Sequence, residues 1–134
     1  MDRRRSFPLH AHSVGSARHF VVETLLDMGF EPWPADLVVT ELATNALRHA
    51  GTPFTVSVTV DGQVAIEVSD GSGAVPAPRE SASDEDGRGL QLVDALVLDW
   101  GVDVADATKS VWCRLALQPA GGSTVPTRSA AVVT

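Results

Sequence analysis

The chain has 134 residues, 44% hydrophobic and 20% charged, and carries a formal net charge of −7. That length can bury one core but not two, and the composition is neither that of a disordered chain nor that of a membrane-spanning one. The acidic balance argues against a general nucleic-acid surface, since Arg3, Arg4 and Arg5 form too short a basic run to reverse it.

Residues 1–6 are basic with no apolar segment behind them, which predicts a mobile N-terminus rather than a secretory signal. Ser13 is placed to cap a first helix whose apolar positions Val14, Ala17, Val21, Val22, Leu25 and Leu26 follow helical spacing, and Gly29 is placed to stop it. Pro32-Trp33-Pro34 interrupts the chain; Pro34 suits the first turn of a second helix, which Gly51-Thr52-Pro53 ends. Phe54, Val56, Val58 and Val60 alternate with Thr55, Ser57 and Thr59, and Asp61-Gly62 turns the chain into Val64, Ile66 and Val68, so a hairpin polar on one face is predicted. Residues 74–86 have two prolines, small residues and no periodicity, and read as a mobile loop. A third helix is predicted over 90–97, strands over 100–104 and 110–117, and a disordered small-residue tail over 118–134. Helices beside a mainly antiparallel sheet make the fold class α+β, with one domain over 7–117. The lone cysteine, Cys113, fits a reducing cytoplasm and reads as a packed thiol; the histidines at 10, 12, 19 and 49 form no zinc-type cluster.

Within the second helix, residues 41–50 (ELATNALRHA) set Glu41, Asn45 and then Arg48 or His49 on one stripe. Residues four apart lie nearly above one another, about 6 Å along the axis, while Leu37, Val38, Leu42, Ala46 and Leu47 face a core. Such a stripe suits a metal-bound anion, although an ordinary solvent face looks the same. Two glycine segments follow. Asp70-Gly71-Ser72-Gly73 is an acidic residue leaving a strand into a flexible turn, and Gly87-Arg88-Gly89-Leu90 opens an apolar-periodic segment. Glycines let backbone amides approach a ligand, and a helix N-terminus offers unpaired N–H groups to phosphate oxygens. Each alone is an ordinary turn; the three features in this order are a stronger signal.

These residues resemble the GHKL ATP-binding superfamily of gyrase, ninety-kilodalton chaperones and sensor histidine kinases, and within it the stand-alone bacterial anti-sigma factor kinases. Residues 41–50 resemble the N box, 70–73 the first glycine box and 87–90 the second. The likeness extends through Ser16-Ala17-Arg18-His19-Phe20-Val21, Trp100-Gly101 and Lys109-Ser110-Val111-Trp112, so it spans roughly residues 7–117. It implies the Bergerat two-layer sandwich, with helices on one face of a mixed, mainly antiparallel sheet, and ATP with Mg²⁺ between the helix layer and a lid over about 74–86.

Residue by residue, the resemblance implies Asn45 as the Mg²⁺ ligand, whose neutral amide oxygen suits an ion that takes few protein oxygens. Asp70 becomes the adenine reader, with Gly71 and Gly73 beside it. Gly87, Arg88, Gly89 and Leu90 wrap the phosphates, Arg48 contacts phosphate, and Glu41 draws the proton from a substrate serine. The Arg88 side chain fits solvent equally well. The box departs from the fuller Asp-x-Gly-x-Gly, which leaves the contact of Gly73 open. Ser110 resembles the threonine of the last motif and Lys109 its neighbouring lysine, but Thr108 stands where many relatives have glycine.

The resemblance implies a cytoplasmic serine kinase that phosphorylates an antagonist protein and otherwise holds a sigma factor, with no direct nucleic acid, no membrane, and room for a homodimer. A regulator that binds ATP as a structural ligand, without phosphoryl transfer, stays open beside it. A sensor histidine kinase is disfavoured because the short stretch before the second helix holds no dimerisation hairpin.

Overall fold

The computed structural model describes residues 1–71 and 84–120, and for 84–89 the backbone alone. The elements run β1 (Asp2–Phe7), α1 (His12–Asp27), α2 (Ala35–Ala50), β2 (Phe54–Val60), β3 (Val64–Asp70), α3 (Asp84–Leu96), β4 (Asp99–Ala105) and β5 (Thr108–Leu115). The strands form one five-stranded sheet in the order β1-β2-β3-β5-β4, and every neighbouring pair is antiparallel. The α+β expectation therefore holds, with no parallel pairing among the described strands.

Alternation along the strands fixes the two sides of the sheet. Phe54, Val56 and Val58 on β2, Val64, Ile66 and Val68 on β3, and Cys113 and Leu115 on β5 are buried under the helices. They meet Ala17, Phe20, Val21 and Leu25 of α1 and Val38, Val39, Leu42, Ala43 and Ala46 of α2 in a single core. Thr55, Ser57, Ser69 and Ser110 point the other way, toward a face that no described helix covers, where Ser69 and Ser110 join hydroxyl to hydroxyl at 2.7 Å. Trp112 also lies on that face, directly opposite Gly101 of β4, and its ring occupies the space a Cβ would take there.

The start of the chain differs from the sequence expectation. Residues 1–6 are not a mobile terminus: β1 pairs along its whole length with β2, from Asp2 opposite Thr59 to Phe7 opposite Phe54. Its helix-facing positions are anchored individually. Phe7 stacks on Phe54 with ring centres 5.5 Å apart, the Arg5 guanidinium lies 5.1 Å over the Phe20 ring, and Arg3 reaches Asp27 of α1 at 3.2 Å. A cation–π contact and an ion pair thus anchor an edge strand where the sequence shows only charge.

Ser13 does not cap α1 either. It lies inside the helix, buried, and its hydroxyl donates to the Pro8 carbonyl at 2.7 Å, tying α1 to the end of β1. At α2 the expectation holds: the helix follows Pro34 and ends at Gly51, whose φ of 66° is the left-handed cap that glycine adopts without strain. Residues 118–120, expected in the tail, are docked on the α1–α2 connection. Glu31 donates its N–H to the Gln118 carbonyl at 2.7 Å and Ala120 donates to Gly29 at 2.8 Å. The domain therefore includes residue 120. Residues 121–134, and 74–83 of the expected lid, lie outside the described residues.

Candidate functional site

Asp70 and Gly71 stand where β3 runs out, and Glu41, Asn45 and Arg48 lie along α2, which packs against β3. Asp70 is the last residue of β3 and, though charged, only 5% exposed, because it continues the apolar side of the strand after Val64, Ile66 and Val68. Thr52, on the short link between α2 and β2, holds the turn that follows: its hydroxyl accepts the Gly71 N–H at 3.0 Å and donates to the Pro53 carbonyl at 3.1 Å. Thr52 was not singled out from the sequence, where Gly51-Thr52-Pro53 signals only a helix stop. Gly71 starts the turn; Ser72 and Gly73 lie outside the described residues.

Along α2, Glu41 and Asn45 are half-buried on the border of the packed face and Arg48 is exposed in the last turn. Helical spacing puts the Glu41 carboxylate and the Asn45 amide one turn apart on the same stripe. Their neighbour Thr44 is occupied within the helix, its hydroxyl donating to the Thr40 carbonyl at 2.7 Å, as Thr40 donates to Asp36 at 2.8 Å. Among the described residues neither the Glu41 carboxylate nor the Asn45 amide has an intramolecular partner, which leaves both groups available to a ligand. The donor set fits Mg²⁺ in its usual form, one neutral protein oxygen completed by phosphate and water oxygens. No cluster of three or more His, Cys, Asp or Glu side chains able to hold a metal unaided occurs among the described residues.

The second glycine segment is arranged differently from the sequence expectation. The helix opens not at Leu90 but at Asp84, so Gly87, Arg88 and Gly89 lie inside its first turns, with half-buried Leu90 following. Acidic residues are favoured at a helix start by the macrodipole, and Asp84, Glu85 and Asp86 supply them. Only about the first four N–H groups of a helix lack an intrahelical acceptor. With Asp84 as the first helical residue those donors end at Asp86, so the N–H groups of Gly87, Arg88, Gly89 and Leu90 fall in the i to i−4 ladder. The expected seat built from these four backbone amides is thus taken up by the helix itself.

The last motif is also redistributed. Ser110 stands on the open face against Ser69, away from Asp70. Lys109 takes the helix-facing position instead, directly opposite Asp70 in the β3–β5 register and 9% exposed. Cys113, two helix-facing positions further along β5, is fully buried; desolvation pushes its thiol from the ordinary 9.0 up to about 12, which makes it packing rather than a nucleophile. No helix among the described residues is long and apolar enough to cross a membrane.

Comparison with known proteins agrees with this fold. An uncharacterised protein of Streptomyces coelicolor is 36% identical over 88 residues, covering 60% of this chain and 84% of that protein. Among solved structures, the chain resembles the RsbU and RsbW domains of Rv1364c from Mycobacterium tuberculosis with a TM-score of 0.69 at 17% identity. That match covers 92% of this chain and 35% of the other, so this chain spans about a third of that structure's length. The Acinetobacter baumannii histidine kinase AdeS matches with a TM-score of 0.52 at 14% identity, covering 86% of this chain and 68% of that one; at such identities the likeness is one of fold. The family model of the histidine kinase-like ATPase domain matches residues 7–115, nearly the whole described structure, and the chain belongs to that family.

Proposed function

We propose that this chain binds Mg-ATP between α2 and the Asp70 end of the sheet and acts as an anti-sigma-type regulator, transferring the γ-phosphate to a serine of an antagonist protein. When not engaged with the antagonist it holds a sigma factor. The observation that carries this reading is the buried Asp70 carboxylate at the end of β3, with Glu41 and Asn45 half-buried on the adjacent helix. A carboxylate at that end of the sheet can accept a hydrogen bond from the exocyclic amine of adenine. The fold likeness to the structure containing an RsbW domain supports the anti-sigma assignment.

In the transfer step the serine hydroxyl attacks the γ-phosphorus while the bond from that phosphorus to the bridging oxygen of ADP breaks. Glu41 takes the hydroxyl proton. Asn45 would hold the Mg²⁺, which supplies neutralisation of phosphate charge when bound. Most of the rate enhancement in such a reaction comes from positioning and electrostatics rather than from the base.

The test separates binding from chemistry. Glu41→Ala should keep Mg-ATP affinity within a few-fold by calorimetry while abolishing serine phosphorylation of antagonist-type partners, read by mass spectrometry. If the parent chain binds such partners in an ATP-dependent way yet modifies no serine, the kinase step is wrong, and a non-catalytic ATP-binding regulator takes its place.

A further inference from the structure

The helix-facing side of the sheet is apolar across its central strands except at one place. Register lines Phe7, Phe54, Asp70, Lys109 and Val104 in a single row from edge to edge, and the adjoining row is Arg5, Val56, Val68, Val111 and Val102. Asp70 and Lys109 are therefore a directly opposed pair set between phenylalanine and valine, 5% and 9% exposed. Lysine is almost never buried to this degree without a partner. Yet among the described residues the Lys109 ammonium has no hydrogen-bond acceptor and no ion pair. Directly opposed side chains have Cβ atoms about 5 Å apart, so the register sets a cationic donor and a carboxylate acceptor side by side at this end of the sheet.

We infer that Lys109 is a specificity-determining residue, donating a hydrogen bond to N1 of the adenine ring while Asp70 accepts one from the 6-amino group. This rests on the nucleotide reading proposed above. Along that edge adenine presents a donor, the 6-amino group, beside an acceptor, N1. An acceptor and a donor held side by side on one sheet face are its complement. Hypoxanthine and guanine carry an acceptor at position 6 and a donor at position 1, so they oppose both protein groups at once, and a mispaired polar group in a dry site is penalised. The alternative last-strand candidate, Ser110, is spent on Ser69 on the other side of the sheet. A purely structural lysine would show no dependence on what atom stands at ring position 1.

The experiment is calorimetric titration of the full chain, in Mg²⁺, with ATP and with 1-deaza-ATP, in which N1 is replaced by C–H. The parent should prefer ATP by about tenfold or more, the discrimination expected for a buried hydrogen bond to a charged donor. Lys109→Met should lose ATP affinity but not 1-deaza-ATP affinity, so that the ratio falls toward one; Lys109→Gln serves as a second neutral variant, and Lys109→Arg, which keeps a charged donor, should retain part of the preference. Thermal melting establishes that each variant is folded. A parent that binds both nucleotides equally, or a folded Lys109→Met that keeps the parental ratio, overturns the inference while leaving ATP binding intact. A parent that binds no ATP at all refutes the nucleotide reading itself, and this inference with it.

Discussion

Gly101→Ala tests the packing of the open sheet face. A Cβ at Gly101 would lie 2.6 Å from Cζ2 and 2.9 Å from Cε2 of the Trp112 indole. Carbon atoms in contact sit about 3.5–4.0 Å apart, so the ring must retreat by roughly 1 Å or turn away into solvent. The indole is rigid, and its backbone is fixed by pairing on both sides, to Glu67 of β3 and to Gly101 itself. Relief therefore has to come from the side-chain torsions, at the loss of the ring's contact with the strand. Overpacking of this kind costs about 1–3 kcal/mol. For an ordered domain of this size the unfolding entropy is on the order of 0.25 kcal/mol/K, so the melting temperature should fall by about 4–12 °C. Differential scanning calorimetry measures the shift, and a red shift of tryptophan emission should accompany it as the ring meets water. The decisive control is additivity: in a Trp112→Ala background the same glycine change should be nearly neutral, because the clash has lost its partner. An equal loss in both backgrounds would show that the cost lies in the backbone of β4 and not in the ring.

Two further outcomes follow from the site and the core. Asn45→Ala should weaken Mg-ATP binding at least about tenfold with little change in melting temperature, since the amide is half-buried and has no intramolecular partner among the described residues; equal calorimetric affinity would remove Asn45 from the site. Cys113 is a raised acid, about 12 against an ordinary 9.0, so the stability it contributes as a neutral thiol is complete below about pH 9 and is lost as pH climbs toward 12. The folded chain should accordingly resist thiol reagents near pH 8 and react only as it unfolds; fast labelling of the native protein would show that β5 opens locally.

Much of the architecture was legible because it is encoded in local patterns. Pro34 and Gly51 bound α2 through backbone geometry that no neighbour alters, and the alternation of Val56, Val58, Ile66 and Val68 fixes which side of the hairpin is buried. The motif order Glu41–Asn45, Asp70–Gly71 and Gly87–Gly89 is enough to indicate the family, since each segment carries a distinct backbone or donor requirement at a fixed place in the chain. What stayed hidden depended on contacts between distant segments. β1 looks like a charged tail because its arginines are held by partners distant in the chain, the Phe20 ring and the Asp27 carboxylate, both on α1. The start of α3 was set three residues earlier than Gly87, within an acidic stretch that reads as loop in the absence of a helix dipole to favour it. The choice between Lys109 and Ser110 was misleading in one dimension, for the apolar Trp112 shares a face with Ser110 while the charged Lys109 shares one with Val111 and Cys113. Only the pairing of β5 with Asp70 on one side and Gly101 on the other decides it: the indole has a place on the open face solely because Gly101 leaves room there, and that puts a lysine on the buried face beside the carboxylate.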